Sequence, residues 1–313
     1  MNGLELSRSY FEEFGKPMLE EQFPQLLPHL AAGLIGSGSE CSGYDDDISQ
    51  DHDFAPGFCL FLPGEDVVDR RSAFQLERAY AKLPKEYKGF ARPALSPVGG
   101  NRHGVLRTEE FFMAKTGSPD GDLTLQQWLT VPEQSLLEAT KGEIFFDNEG
   151  AMTRIRAALR YYPEDVRLKR LAGYLLLMGQ AGQYNYARCL RHNEPAAAQL
   201  AVCEFVKSTI SVIFLLNSTY QPYYKWTFRA LCALPQFSDL AEPLSWLLTT
   251  DNSPELCPAK AARIEEIAVV ISDHLADQSL SNIPDSELEA HAYAVNDHVK
   301  DAVLRNMHVL AAV

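Results

Sequence analysis

The chain changes character near Gly150, and this constrains its fold more than any other feature. Before that point short apolar runs alternate with Pro- and Gly-rich breaks. After it Pro and Gly become sparse, and one amphipathic stretch follows another. Apolar residues at helical spacing predict helices over 152–161, 164–191, 195–217, 223–233, 258–278 and 285–313. Pro163 suits a first-turn position, with Glu164 and Asp165 placed to favour a helix N-terminus. At roughly 100–200 residues per domain, the length accommodates two. The expected class is therefore α+β: a mixed sheet with helices over 1–150, then an α-helical bundle over 151–313.

The first half supplies the strands. Residues 9–30 read as helix interrupted at Pro17 and Pro24. The apolar run from Leu30 to Ile35 enters Gly36-Ser37-Gly38-Ser39, a strand feeding a small-residue turn. Residues 54–62 read as a second strand with an irregularity at Pro56-Gly57, and 66–82 as a helix. The stretch 93–104 is loop; 105–112 fits strand, helix, or one followed by the other. Residues 143–147 form a short strand closed by Asn148-Glu149-Gly150.

Charge and cysteine usage narrow the function. With 28 Lys+Arg against 42 Asp+Glu, the net charge is −14. That argues against a nucleic-acid partner, whose binding needs clustered cations, and against anionic membrane surfaces. No run approaches the ~18 apolar residues of a membrane span, and no signal peptide is visible. The six cysteines lack a Cys-x-x-Cys pair and read as free thiols in a reducing cytoplasm, the expected location.

The densest chemical signal is the Gly-Ser turn followed by Ser49-Gln50-Asp51-His52-Asp53-Phe54. On a strand, side chains two apart share a face, so Asp51 and Asp53 point together and can hold one or two divalent cations. Carboxylate oxygens suit Mg2+ or Mn2+. The Gly-Ser turn leaves backbone N–H groups uncovered for phosphate oxygens. A phosphate cradle beside a metal site is the equipment of phosphoryl or nucleotidyl transfer.

The Gly-Ser turn with Ser-x-Asp-x-Asp resembles the signature of the DNA polymerase β-like nucleotidyltransferase superfamily. The string from Gly36 through Phe54 resembles a bacterial branch of it, as do Gly142–Asp147, Gly182-Gln183-Tyr184-Asn185-Tyr186-Ala187-Arg188 and Asn217 through Trp226. The resemblance implies a nucleotidyltransferase-fold sheet followed by a helical bundle like that of kanamycin nucleotidyltransferase. It implies transfer of a nucleoside monophosphate from a nucleoside triphosphate to a hydroxyl acceptor, with pyrophosphate leaving. Gly36 and Ser37 would hold the triphosphate; Asp51 and Asp53 would be catalytic metal ligands. The family's third carboxylate has no clear counterpart among residues 102–111. Glu109 is the nearest choice, Glu110 a weaker one, with Glu133 and Glu143 as other sources of a base. That departure leaves a catalytically inactive nucleotide-binding homologue as an alternative, beside a metal phosphohydrolase using His52-Asp53.

The helical half offers further contacts. Tyr184 and Arg188 stand at i,i+4 on one helix face, suited to stacking on a base and to gripping phosphate. With the resemblance, Arg188 and Lys225 lean towards nucleotide binding, whereas Tyr224 and Trp226 suit core packing. His52 points away from its flanking aspartates, and Asp45, Asp46 and Asp47 read as a solvated loop. Gly182, inside a helix at a cost of about 1 kcal/mol relative to Ala, marks a close helix crossing or ligand approach.

Overall fold

The computed structural model describes residues 1–46, 48, 55–92 and 103–313. The chain divides into two compact units: Met1–Gln127 with Val131–Arg160, and Trp128–Thr130 with Tyr161–Val313.

The strands are β1 (Ala31–Ile35), β2 (Cys59–Leu62), β3 (Glu86–Tyr87), β4 (Phe90–Ala91), β5 (Gly104–Arg107) and β6 (Gly142–Asp147). Four of them form a mixed sheet in the order β5-β2-β1-β6. β1 runs antiparallel to β2 and β6, with Gly33 opposite Cys59 and Ile35 opposite Gly142. β2 and β5 are parallel, and β3 and β4 pair separately. The helices with this sheet are α1 (Gly3–Tyr10), α2 (Lys16–Gln22), α3 (Ser39–Ser42), α4 (Arg70–Ala81), α5 (Thr108–Thr116), the first half of α6 (Leu125–Thr130), α7 (Glu133–Thr140) and α8 (Ala151–Ala158).

Side-chain alternation divides the sheet between two layers. Phe58, Leu60, Leu62 and Ala32 enter a core with Tyr10, Phe11 and Leu19 from the N-terminal helices and Leu76 and Tyr80 from α4. Phe61 meets Phe111 of α5, ring centres 5.4 Å apart. Buried Tyr80 satisfies its polar tip on one residue, donating to the Phe58 carbonyl at 2.8 Å and accepting its N–H at 3.1 Å. Asp69 caps α4 by accepting the Ser72 N–H at 2.7 Å.

Local structure departs from the sequence expectations in instructive places. Pro17 does not interrupt the first helix, because a π-helical turn, Phe11–Gly15, precedes it. The Lys16 N–H reaches back to the Phe11 carbonyl, and Pro17 falls in the first turn of α2, where its missing N–H costs least. The second strand starts only at Cys59, and 105–112 resolves into β5 followed by α5, whose first turn holds Glu109 and Glu110.

The second unit contains α9 (Glu164–Met178), α10 (Ala187–Arg191), α11 (Pro195–Leu216), α12 (Tyr224–Leu231), α13 (Ala241–Thr249), α14 (Cys257–Asp277), α15 (Leu288–Asp297) and α16 (Ala302–Asn306). A π-helical segment, Gly179–Tyr186, joins α9 to α10, so 164–191 is continuous as expected. Within that segment Gly182 is buried, and a Cβ there would lie 2.3 Å from Phe205 of α11 and 2.9 Å from Ile264 of α14. A helix crossing accounts for this glycine.

α11 is the most apolar of these helices and lies in the core. Its length and mean hydropathy of 1.6 would allow it to cross a membrane, yet 61% of that apolar window is buried inside the structure. Val202, Phe205, Val206, Val212, Ile213 and Phe214 are all buried. The single helix expected over 285–313 is instead α15, α16 and a 3-10 turn, Val309–Ala312. The breaks release carbonyls, and buried Lys169 satisfies them. Its Nζ donates to Asn296 Oδ1 at 2.8 Å, the Met307 carbonyl at 2.7 Å and the Arg305 carbonyl at 3.4 Å.

Candidate functional site

The Gly-Ser turn leaves the C-terminal end of β1. Gly36 (φ +130°) and Gly38 (φ +140°) hold backbone conformations that side chains rarely adopt. Among the described residues, nothing lies within 4 Å of where a Gly36 Cβ would be. A Gly38 Cβ would stand 2.4 Å from the carboxylate of buried Glu40, around which the turn folds.

The turn borders a cavity of about 250 Å³ in the first unit. Ile35, Cys59, Leu106, Phe111 and Ala114 give it an apolar lining; Gly36, Ser37, Arg107, Glu110 and Lys115 supply the polar part. Burial pushes the Cys59 thiol up to about 12, against a backbone hydrogen bond involving Ile35 that lowers it. The thiol therefore stays protonated near neutral pH and is poorly suited to nucleophilic attack. Arg107 Nη1 donates to the Pro63 carbonyl at 2.6 Å, which anchors the guanidinium. Lys115 is ion-paired with Glu138 of α7, and Glu138 also accepts from Gln134 Nε2 at 3.1 Å.

The expected site residues fall in different places. Gly36 and Ser37 line the cavity. Asp51 and Asp53, with Asp47 and His52, lie outside the described residues. Glu109 is exposed in the first turn of α5, 3.8 Å from the Cβ position of Gly64, while its neighbour Glu110 lines the cavity. β5 itself carries no carboxylate. Glu143 of β6 is ion-paired with Arg8. Asp45 is more than a solvated acid, because it accepts the Gly3 N–H at 2.7 Å. Among the described residues, no group of three His, Cys, Asp or Glu is placed to hold a metal ion.

On the second unit Arg188 and Tyr184 come together. Arg188 Nη1 donates to the Tyr184 hydroxyl at 2.7 Å, with both side chains exposed. Lys225 Nζ and the Arg229 guanidinium each lie 5.2 Å from the Trp226 ring centre. Tyr224 is 76% exposed, contrary to the expected core role; it is the first residue of α12, and its ring lies 4.3 Å from that of exposed Tyr223.

Sequence reasoning missed Arg107, Lys115 and Glu138. No spacing rule joins Lys115 to Glu138, since two separate helices bring them together. The run of mixed charges through α5 was the one available signal.

Residues 128–227 match a family described as a domain of unknown function, DUF4037. No curated protein matches the chain. A crystal structure of a nucleotidyltransferase-like protein from Exiguobacterium sibiricum 255-15 is similar at 13% identity and a TM-score of 0.34, covering 86% of this chain and 76% of that one.

Proposed function

We propose that the protein is a metal-dependent nucleotidyltransferase that moves a nucleoside monophosphate from a nucleoside triphosphate to a hydroxyl of a small molecule or protein. One observation carries the reading: Gly36 and Ser37 border a cavity that Arg107 and Lys115 also line, with Glu110 as its carboxylate. Backbone N–H groups of a Gly-Ser turn, a hydroxyl and two cations are suited to phosphate oxygens.

In the proposed reaction the acceptor oxygen attacks the α-phosphorus, the bond to the pyrophosphate oxygen breaks, and the acceptor proton passes to a base. Asp51 and Asp53 are assigned to Mg2+ or Mn2+; their paired carboxylates are the hard oxygen donors these ions prefer. Such an ion, when bound, neutralises triphosphate charge and acidifies the attacking hydroxyl. Gly36 and Ser37 are assigned to the triphosphate and Glu109 as the third carboxylate.

A second reading, a nucleotide-binding protein without transferase activity, is favoured by the lack of a carboxylate on β5 and by the exposure of Glu109. Incubating the full chain with Mg2+, each of the four ribonucleoside triphosphates and a mixed pool of hydroxyl acceptors separates the two. Pyrophosphate release with labelled product supports the transferase. Saturable nucleotide binding with no release from any nucleotide supports the second reading.

A further inference from the structure

We propose that Lys115, presented by Glu138, is a phosphate-binding residue of the cavity beside Gly36 and Ser37. This inference rests on the nucleotidyltransferase reading only for the identity of the ligand, the phosphate chain of a nucleoside triphosphate.

Lys115 lies in the last turn of α5 and lines the same cavity as Gly36 and Ser37. A free lysine loses rotamer entropy when it settles on a ligand. Here part of that ordering is already done. The ammonium is ion-paired with Glu138, the side chains being 25% and 17% exposed. Glu138 is held in turn by Gln134. The helix that carries Glu138 leads into this edge of the sheet: α7 ends at Thr140, and Gly142, two residues on, pairs with Ile35, the residue before Gly36. An ammonium has three N–H donors, and one contact to Glu138 leaves donors for a phosphate oxygen. Glu138 lies outside the cavity lining, whose carboxylate is Glu110, and it contacts the ligand-binding cation directly. Glu138 is thus a positioning residue.

The test titrates inorganic tripolyphosphate with Mg2+ into the full chain by calorimetry. Loss of one charged hydrogen bond weakens binding about 10–100-fold. Lys115→Met is expected to show that loss, and Lys115→Arg to retain most of the affinity. Lys115→Met combined with Glu138→Met removes both charges and avoids a half-buried unpaired carboxylate. That double variant is expected to unfold at the wild-type temperature and still bind weakly. Wild-type affinity in either Lys115→Met variant overturns the inference, as does wild-type protein that binds no tripolyphosphate. Lys115-dependent binding without nucleotide transfer keeps the inference and removes the transferase reading. Transfer with Lys115-independent binding does the reverse.

Discussion

Gly182 and Phe205 share one crossing point in the helical unit: a Cβ on Gly182 would stand 2.3 Å from the Phe205 ring. Gly182→Ala should therefore destabilise the protein although alanine favours helix. Overpacking costs about 1–3 kcal/mol, offset by roughly 1 kcal/mol of helix propensity. The urea midpoint should fall. A midpoint at or above wild type would show that the helices part without cost.

Lys169 holds the C-terminal elements through neutral acceptors alone. Lys169→Met keeps the length of the side chain and removes its donors. Each buried acceptor left without a partner costs about 1–3 kcal/mol. Stability should fall, and amide hydrogen exchange should rise in α16 and the turn at Val309–Ala312. Unchanged protection there would mean that apolar packing, not Lys169, fastens this segment.

His274 makes stability depend on acid. Burial holds its pKa below the ordinary 6.5, against the opposing influence of Asp277. Its Nε2 is buried without a hydrogen-bond partner, and its ring packs on Phe237 at 4.8 Å. Because the folded pKa is depressed, the unfolded chain takes up the proton first. The contribution of His274 is complete above pH 6.5 and is lost as pH falls through the folded value. Urea midpoints measured between neutral and mildly acidic pH should fall less steeply in His274→Phe. Equal slopes would assign the acid sensitivity to other groups.

Much of the architecture was legible because its signals are local. The apolar run before Gly36 became β1, and the periodicity over 164–191 became one continuous helical path. Tertiary context decided the rest. The breaks after Asp297 and Asn306 are compensated by Lys169, more than a hundred residues upstream, which no local pattern reveals. Pro17 signalled an interruption, but a π turn absorbed it. At the candidate site the Gly-Ser turn could be read from composition and order. The Lys115–Glu138 pair could not, because it exists only once α5 and α7 are packed.

The central claim, nucleotidyl transfer dependent on paired carboxylates, is tested most directly by following α-phosphate label. The full chain is incubated with Mg2+, α-labelled nucleoside triphosphate and the acceptor pool, in parallel with Asp51→Asn and Asp53→Asn. Asp51 and Asp53 stand two apart in the sequence, and removing one of two neighbouring acids relieves repulsion, so both variants should unfold at or above the wild-type temperature. The predicted result is label transfer with stoichiometric pyrophosphate in the wild type and none in either folded variant. Wild-type transfer in Asp51→Asn or Asp53→Asn, or no transfer by the wild type from any of the four nucleotides, would contradict the claim.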